Sequence, residues 1–300
     1  MTPTPTPNPT PTPMTSTATP TLRLRTVRAA QGLAWVRQGL RTFVKQPMAF
    51  AALFAAFMFV VFVLALLPLV GSLLVLALLP LVTLGFMNAT RIAVAGGFPT
   101  ARVFAEPLQG NRPRALAILK LGLVYAGATL LVMWLSDWVD GGAFEALMQA
   151  APDSAAKAPS VDLQTRLAAP GLASGLALRF GLAGLLAVPF WHAPALVLWG
   201  GQAAAQSLFS STLACWRNRG AFTVYMLAWV AVIALFGTVG SLVFSLAGVP
   251  KLFAVAVVPM SLLFTTVFYV SLYFTFADCF EAVNALPAPG TPATTEESPP

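Results

Sequence analysis

Hydrophobic positions along this chain gather into six unbroken stretches, approximately Met48 to Leu67, Ser72 to Ile92, Ala115 to Leu135, Phe180 to Trp199, Ala221 to Leu246 and Leu252 to Phe274. Each reaches the ~20 residues that a helix needs to cross ~30 Å of hydrocarbon, and none shows the polar stripe of a helix lying on a soluble core. The first two stretches are joined only by Pro68 to Gly71 and the last two by Gly248 to Lys251, which predicts an antiparallel hairpin at each end of the series. The expected fold is all-α, a polytopic transmembrane helical bundle of six spans.

Ahead of the first span the pattern changes. From Arg28 to Lys45, Ala29, Leu33, Val36, Leu40, Phe43 and Val44 share one helical face, with Arg37, Arg41 and Lys45 at four-residue spacing beside it. Two arrangements suit such an amphipathic helix at the cytoplasmic interface. Its apolar face enters the acyl boundary with the cations on anionic headgroups, or it packs on the bundle and its charges set orientation. Arg37, Arg41 and Lys45 are therefore candidate headgroup contacts. Residues 1–22 are dominated by alternating Thr and Pro and bury nothing, so they are expected to be a disordered tail, as are residues 281–300, around a transmembrane domain of residues 23–280. The first span is too long for a cleaved signal and leads directly into the second, so it is expected to stay in the membrane.

Composition agrees with lipid as the solvent: 58% of the 300 residues are hydrophobic and 9% charged, against roughly a quarter charged in soluble domains. The formal net charge of +7 changes the picture through its placement. With the N-terminus inside, Arg23, Arg25, Arg28, Arg37, Arg41, Lys45, Arg91, Arg102, Arg112, Arg114, Lys120, Arg217 and Arg219 fall on the cytoplasmic side, and only Lys157, Arg166, Arg179 and Lys251 fall outside. Both termini are thus expected in the cytoplasm. The cations form no extended tract interleaved with aromatics, so nucleic acid is not an expected partner; anionic membrane lipid is, with a membrane-protein partner beside it. Ser136 to Leu178 is the one long outer segment, expected to hold short helices at most, with Arg179 snorkelling outward.

RTFVKQPMAF (Arg41 to Phe50) leads into the first hairpin and LACWRNRGAF (Leu213 to Phe222) into the last, each with a cation, an amide, a break and a Phe that opens the span. Asn111 and Arg112 form a looser third copy before the third span. Three units of interfacial helix plus two spans account for the chain. The opening QGLAWVRQGLRTFVKQP, the hairpin ending MNATRIAVAGGFP, the segment FWHAPALV and the later ACWRNRGAF resemble a beta-proteobacterial family of uncharacterised multi-pass inner-membrane proteins, over roughly Arg28 to Glu281. That resemblance implies a bacterial inner-membrane location and a six-span bundle, and it carries no activity over.

His192 is the single histidine and sits between Pro189 and Pro194 within a span, where freed carbonyls and a kink make a polar residue a functional candidate. The structural alternative is that it bonds a freed carbonyl or a neighbouring helix, and with no second histidine and no carboxylate inside any span this alternative carries more weight. Asn88 and Arg91 at the inner end of the second span and Asp278 and Glu281 at the inner end of the sixth are a candidate ion-pair cluster tying the first hairpin to the last. Gly122, Gly181, Gly184, Gly237 and Ser241 are expected to permit close helix packing. Cys215 and Cys279 are expected as buried, inert thiols. No metal-ligand cluster, nucleophile and base pairing or phosphate loop appears, so neither a cofactor nor an enzymatic activity is expected. The expected function is a non-enzymatic membrane scaffold or partner-binding protein, the alternative being a transporter or lipid-handling protein for neutral or amphiphilic cargo.

Overall fold

A computed structural model describes residues 21–68, 70–147 and 171–283. In chain order the elements are β1 (Thr21–Leu24), α1 (Gln31–Lys45), α2 (Pro47–Ala65), α3 (Val70–Val94), α4 (Arg102–Ala105), a 3-10 turn (Glu106–Leu108), α5 (Arg112–Asp140), α6 (Leu172–Phe190), α7 (Ala193–Gly200), α8 (Ala204–Arg217), α9 (Arg219–Leu246), α10 (Pro250–Cys279) and β2 (Phe280–Val283). Among the described residues six helical segments are long and apolar enough to cross a membrane, with α6 and α7 together making the fourth. The spans expected from the sequence are all present; the fourth differs, starting at Leu172 and breaking after Phe190.

α1 and α8 are amphipathic helices that run into α2 and α9 across a single joint residue, Gln46 or Asn218. At both joints the amide residue leaves helical geometry while its carbonyl accepts from the N–H four residues on, Phe50 at 3.3 Å and Phe222 at 3.1 Å. Asn111 repeats the device before α5, its carbonyl accepting from Ala115 N–H at 3.0 Å and its side chain capping Arg114 N–H at 3.0 Å. The threefold repeat is therefore real at the joints. Each interfacial helix packs on the preceding hairpin: α4 on α3, with the 3-10 turn against α5, α8 on α6 and α7, and α1 on α9 and α10, which closes the ring.

The core sits at the end of the bundle that carries both termini. Trp35, Phe50, Phe86, Met87, Ile118, Leu121, Leu196 and Tyr225 are all buried there. The remote half of α9 exposes Val230, Ile233, Leu235, Leu242 and Leu246, a surface that water would not tolerate and that hydrocarbon matches. Close approach sets where α1 lies: a Cβ on Gly32 would collide with the Ala221 carbonyl, and one on Gly39 would meet Ser271 Cβ at 2.5 Å. Of the small residues expected at helix contacts, Gly122 does lie against the backbone of Ala77, whereas Gly181, Gly184 and Gly237 face open space. Those three stand on outward faces, where lipid is the neighbour.

β1 and β2 pair antiparallel, Leu22 opposite Ala282 and Leu24 opposite Phe280. The tail boundaries expected at 22 and 281 thus fall inside a ribbon, because the alternation of Leu22, Arg23 and Leu24 lays leucines on the bundle and leaves the charge outside. The rest of both expected tails, and residues 148–170 of the long loop, lie outside the described residues. The beginning of that loop is helical to Asp140, and Arg179 does not snorkel but pairs with Asp137, its guanidinium 4.0 Å from the ring of Phe144.

Candidate functional site

Of the two arrangements that the sequence leaves open for α1, the structure shows packing on the bundle, and it leaves part of the apolar face exposed. Gly32, Trp35, Val36, Gly39 and Phe43 are buried against α9 and α10, while Leu33, Leu40 and Val44 form a separate exposed stripe. The single apolar face read from the sequence is split in two, since Trp35 and the glycines supply the buried contact. Trp35 Nε1 and Gln31 Nε2 donate to the same Asp278 carboxylate oxygen, at 2.7 and 2.6 Å, clamping α1 to α10.

On the other flank of α1 a cleft of about 440 Å³ opens toward the ends of α3 and α10. Gln38, Arg41, Thr42, Lys45 and Gln46 form its polar wall, Val94 and Phe274 the apolar one. No carboxylate lines it among the described residues. Gln46 Nε2 donates to Gly97 O at 3.0 Å, which ties the α1–α2 joint to the loop after α3, and its Oε1 is buried without a partner. Of the candidate headgroup contacts, Arg41 and Lys45 thus share one cleft, and Arg37 lies one turn away, exposed on the helix.

The expected ion-pair cluster is not assembled. Arg91 donates to Asn88 Oδ1 at 2.9 Å and lies 5.3 Å from the centroid of Trp199, Asn88 Nδ2 donates to Glu106 at 3.0 Å, Asp278 holds α1, and Glu281 faces Arg25 at 3.7 Å. Asn88 and Arg91 do meet, but as a tie between α3, the 3-10 turn and α7. The cause is rotational: α3 meets α10 where Thr90 Oγ1 donates to Val270 O at 3.3 Å, and eight residues further on Asp278 faces α1 instead.

His192 is fully buried at the break between α6 and α7. In a continuous helix its N–H would reach the Val188 carbonyl. Here it donates to Ser211 Oγ at 3.0 Å, and Ser211 Oγ donates to Val188 O at 3.0 Å, so a side chain of α8 is inserted into the helical ladder. Thr275 gives its proton to Leu272 O at 2.7 Å and accepts from Trp191 Nε1 at 3.2 Å, which makes His192 Nε2, 3.1 Å away, a donor and leaves the Nδ1 lone pair unpartnered. Phe222, Phe276 and Phe280 ring the imidazole at 5.8, 5.9 and 5.4 Å. Its neighbours on α9 and α10 lie within two turns of the helix ends, so the kink site is near the terminus-bearing face and not at mid-depth. Pro194 is in the first turn of α7 and Pro189 in the last turn of α6.

Sequence reasoning missed Asn218, which is 1% exposed. Its Oδ1 accepts from Val27 N–H at 2.8 Å, and its Nδ2 donates to Arg25 O at 3.0 Å, so one amide pins the segment between β1 and α1. The signal available was its place in the joint repeat. Cys215, on α8, is free and buried, and burial pushes its thiol up to about 12; Cys279 is also free and buried.

A probable inner membrane protein of Burkholderia thailandensis is 30% identical over 283 residues, covering 92% of this chain and 100% of that protein. No protein-family model matches the chain, and no solved structure does.

Proposed function

The chain belongs to the family of that Burkholderia inner membrane protein, and from this membership and the geometry we propose that it is a non-enzymatic membrane scaffold. In this reading both termini lie in the cytoplasm, and the basic end of the bundle holds anionic headgroups and a membrane-protein partner. The observation that carries it is the α1 cleft, where Arg41 and Lys45 are held side by side with no carboxylate among the described residues to neutralise them and with an exposed apolar stripe, Leu33, Leu40 and Val44, alongside. The His192 surroundings support the same reading, because a lone pair walled by phenyl rings has no path to a substrate.

Purification of the full chain from its own membranes in mild detergent, beside Arg41→Glu/Lys45→Glu, tests this. A protein recovered in fixed stoichiometry with the wild type and lost from the variant is the expected result. A chain that purifies alone in both cases and moves a solute in proteoliposomes contradicts it. One feature favours the second reading, handling of amphiphilic cargo: an open lateral groove beside α5.

A further inference from the structure

The groove of about 1120 Å³ lies between the first half of α5 and the turn from α7 into α8, away from the α1 cleft. From Asn111 to Val124 it follows α5 for ~20 Å, enough to cover the ~15 Å depth of one leaflet and reach its headgroup layer. Ala117, Leu121, Val124, Val197 and Leu208 make its deep walls apolar. Gly201 and Ala203 to Ala205 keep the opposite wall shallow, and this is why a groove remains where bulkier side chains would have closed the helices together.

Its mouth is chemically different. Arg114 and Lys120 line it, and neither side chain has a hydrogen-bond or ion-pair partner among the described residues. Gln202 sits between them and the α8 wall with its Oε1 buried and unpartnered, an acceptor in need of a donor. α8 begins beside it with no side-chain cap on its first turn. Two free cations call for an anion, and a free amide oxygen calls for a hydroxyl or ammonium.

We infer that this groove binds one phosphatidylglycerol molecule, with its phosphate on Arg114 and Lys120, an acyl chain along Leu121 and Val124, and a headgroup hydroxyl on Gln202 Oε1, which turns out of the wall to meet it. Charge complementarity selects this lipid: a net negative headgroup neutralises the cations, whereas a zwitterionic one brings its own positive charge to them. The hydroxyl is what distinguishes it from a simple phosphatidic acid. The site rests on the six-span arrangement alone, so its failure leaves the Arg41 and Lys45 proposal standing, and the reverse holds as well.

The test is native mass spectrometry of the full chain, stripped of lipid in detergent and titrated with phosphatidylglycerol, phosphatidic acid, phosphatidylcholine or glycerol 3-phosphate. One phosphatidylglycerol per chain is expected, held more tightly than the other three. Arg114→Gln/Lys120→Gln is expected to weaken it roughly 30-fold, as two cations near an anionic headgroup would. Ala205→Trp, an exposed position on the groove wall, is expected to abolish retention with both cations in place, and Arg41→Gln/Lys45→Gln to leave it unchanged. Equal retention of phosphatidylcholine, full competition by glycerol 3-phosphate, or equal loss from the α1 variant overturns the inference.

Discussion

At the scale of single residues, the terminus-bearing end is held by polar side chains with unusual jobs. Ser211 replaces a backbone hydrogen bond of a different helix, so Ser211→Ala leaves His192 N–H without a partner and the Val188 carbonyl with only the longer contacts from Trp191 N–H at 3.4 Å and Cys215 Sγ at 3.7 Å. The expected loss is about 1–3 kcal/mol, read as a lower Tm in detergent; an unchanged Tm would mean that water or another group serves both atoms. His192→Ala should cost about 2–4 kcal/mol through the cavity and the lost Thr275 contact, while leaving lipid retention as it was. The Cys215 thiol, pushed up to about 12, remains protonated at pH 8 and should resist maleimide until the protein is unfolded; labelling of the native protein at that pH would show the burial to be incomplete. A buried, inert Cys215 and a His192 bonded to a neighbouring helix were legible in the sequence; the part played by Ser211 was not. A lone histidine between prolines marked the break correctly, but which helix would offer a serine to it depends on tertiary packing that periodicity does not encode.

At the scale of elements, α1 is the piece that decides the shape of this end. It carries two glycines seven residues apart on its buried side, and Gly39→Val should drive a side chain into Ser271, at a cost of about 1–3 kcal/mol and with faster amide exchange through α1. Unchanged exchange would place α1 off the bundle. The clamp predicts a second outcome: Asp278→Asn weakens α1 docking, and exchanging Arg91 with Asp278 gives a double variant no more stable than either single one, because the two residues do not pair. Rescue in the double variant would restore the cluster that the sequence suggested. Apart from the start of the fourth span, at Leu172 and not Phe180, the spans were legible to within a few residues because a bilayer imposes length and apolarity on each helix separately. What the sequence hid was rotation, namely which face of α1 meets α10 and where Asp278 points, and it hid the ribbon of β1 and β2, whose pairing joins residues from opposite ends of the chain.

At the scale of the whole molecule, the described residues make one end packed, aromatic and basic, and expose apolar side chains toward the other. The three joints at Gln46, Asn111 and Asn218, each before a span, place the interfacial elements and the free cations Arg41, Lys45, Arg114 and Lys120 together at the packed end. The repeat was visible as a few matching letters; that each interfacial piece lies on the preceding hairpin was not, because such a ring is closed by contacts between units. The proposed scaffold role requires that end to face the cytoplasm. Reporter fusions that are active on only one side of the membrane, placed after Gln109 and after Gly142, measure it directly. A cytoplasmic reporter active after Gln109 and silent after Gly142, with the converse for a periplasmic reporter, is the predicted result. The same response at both positions, or the reverse pattern, would contradict it.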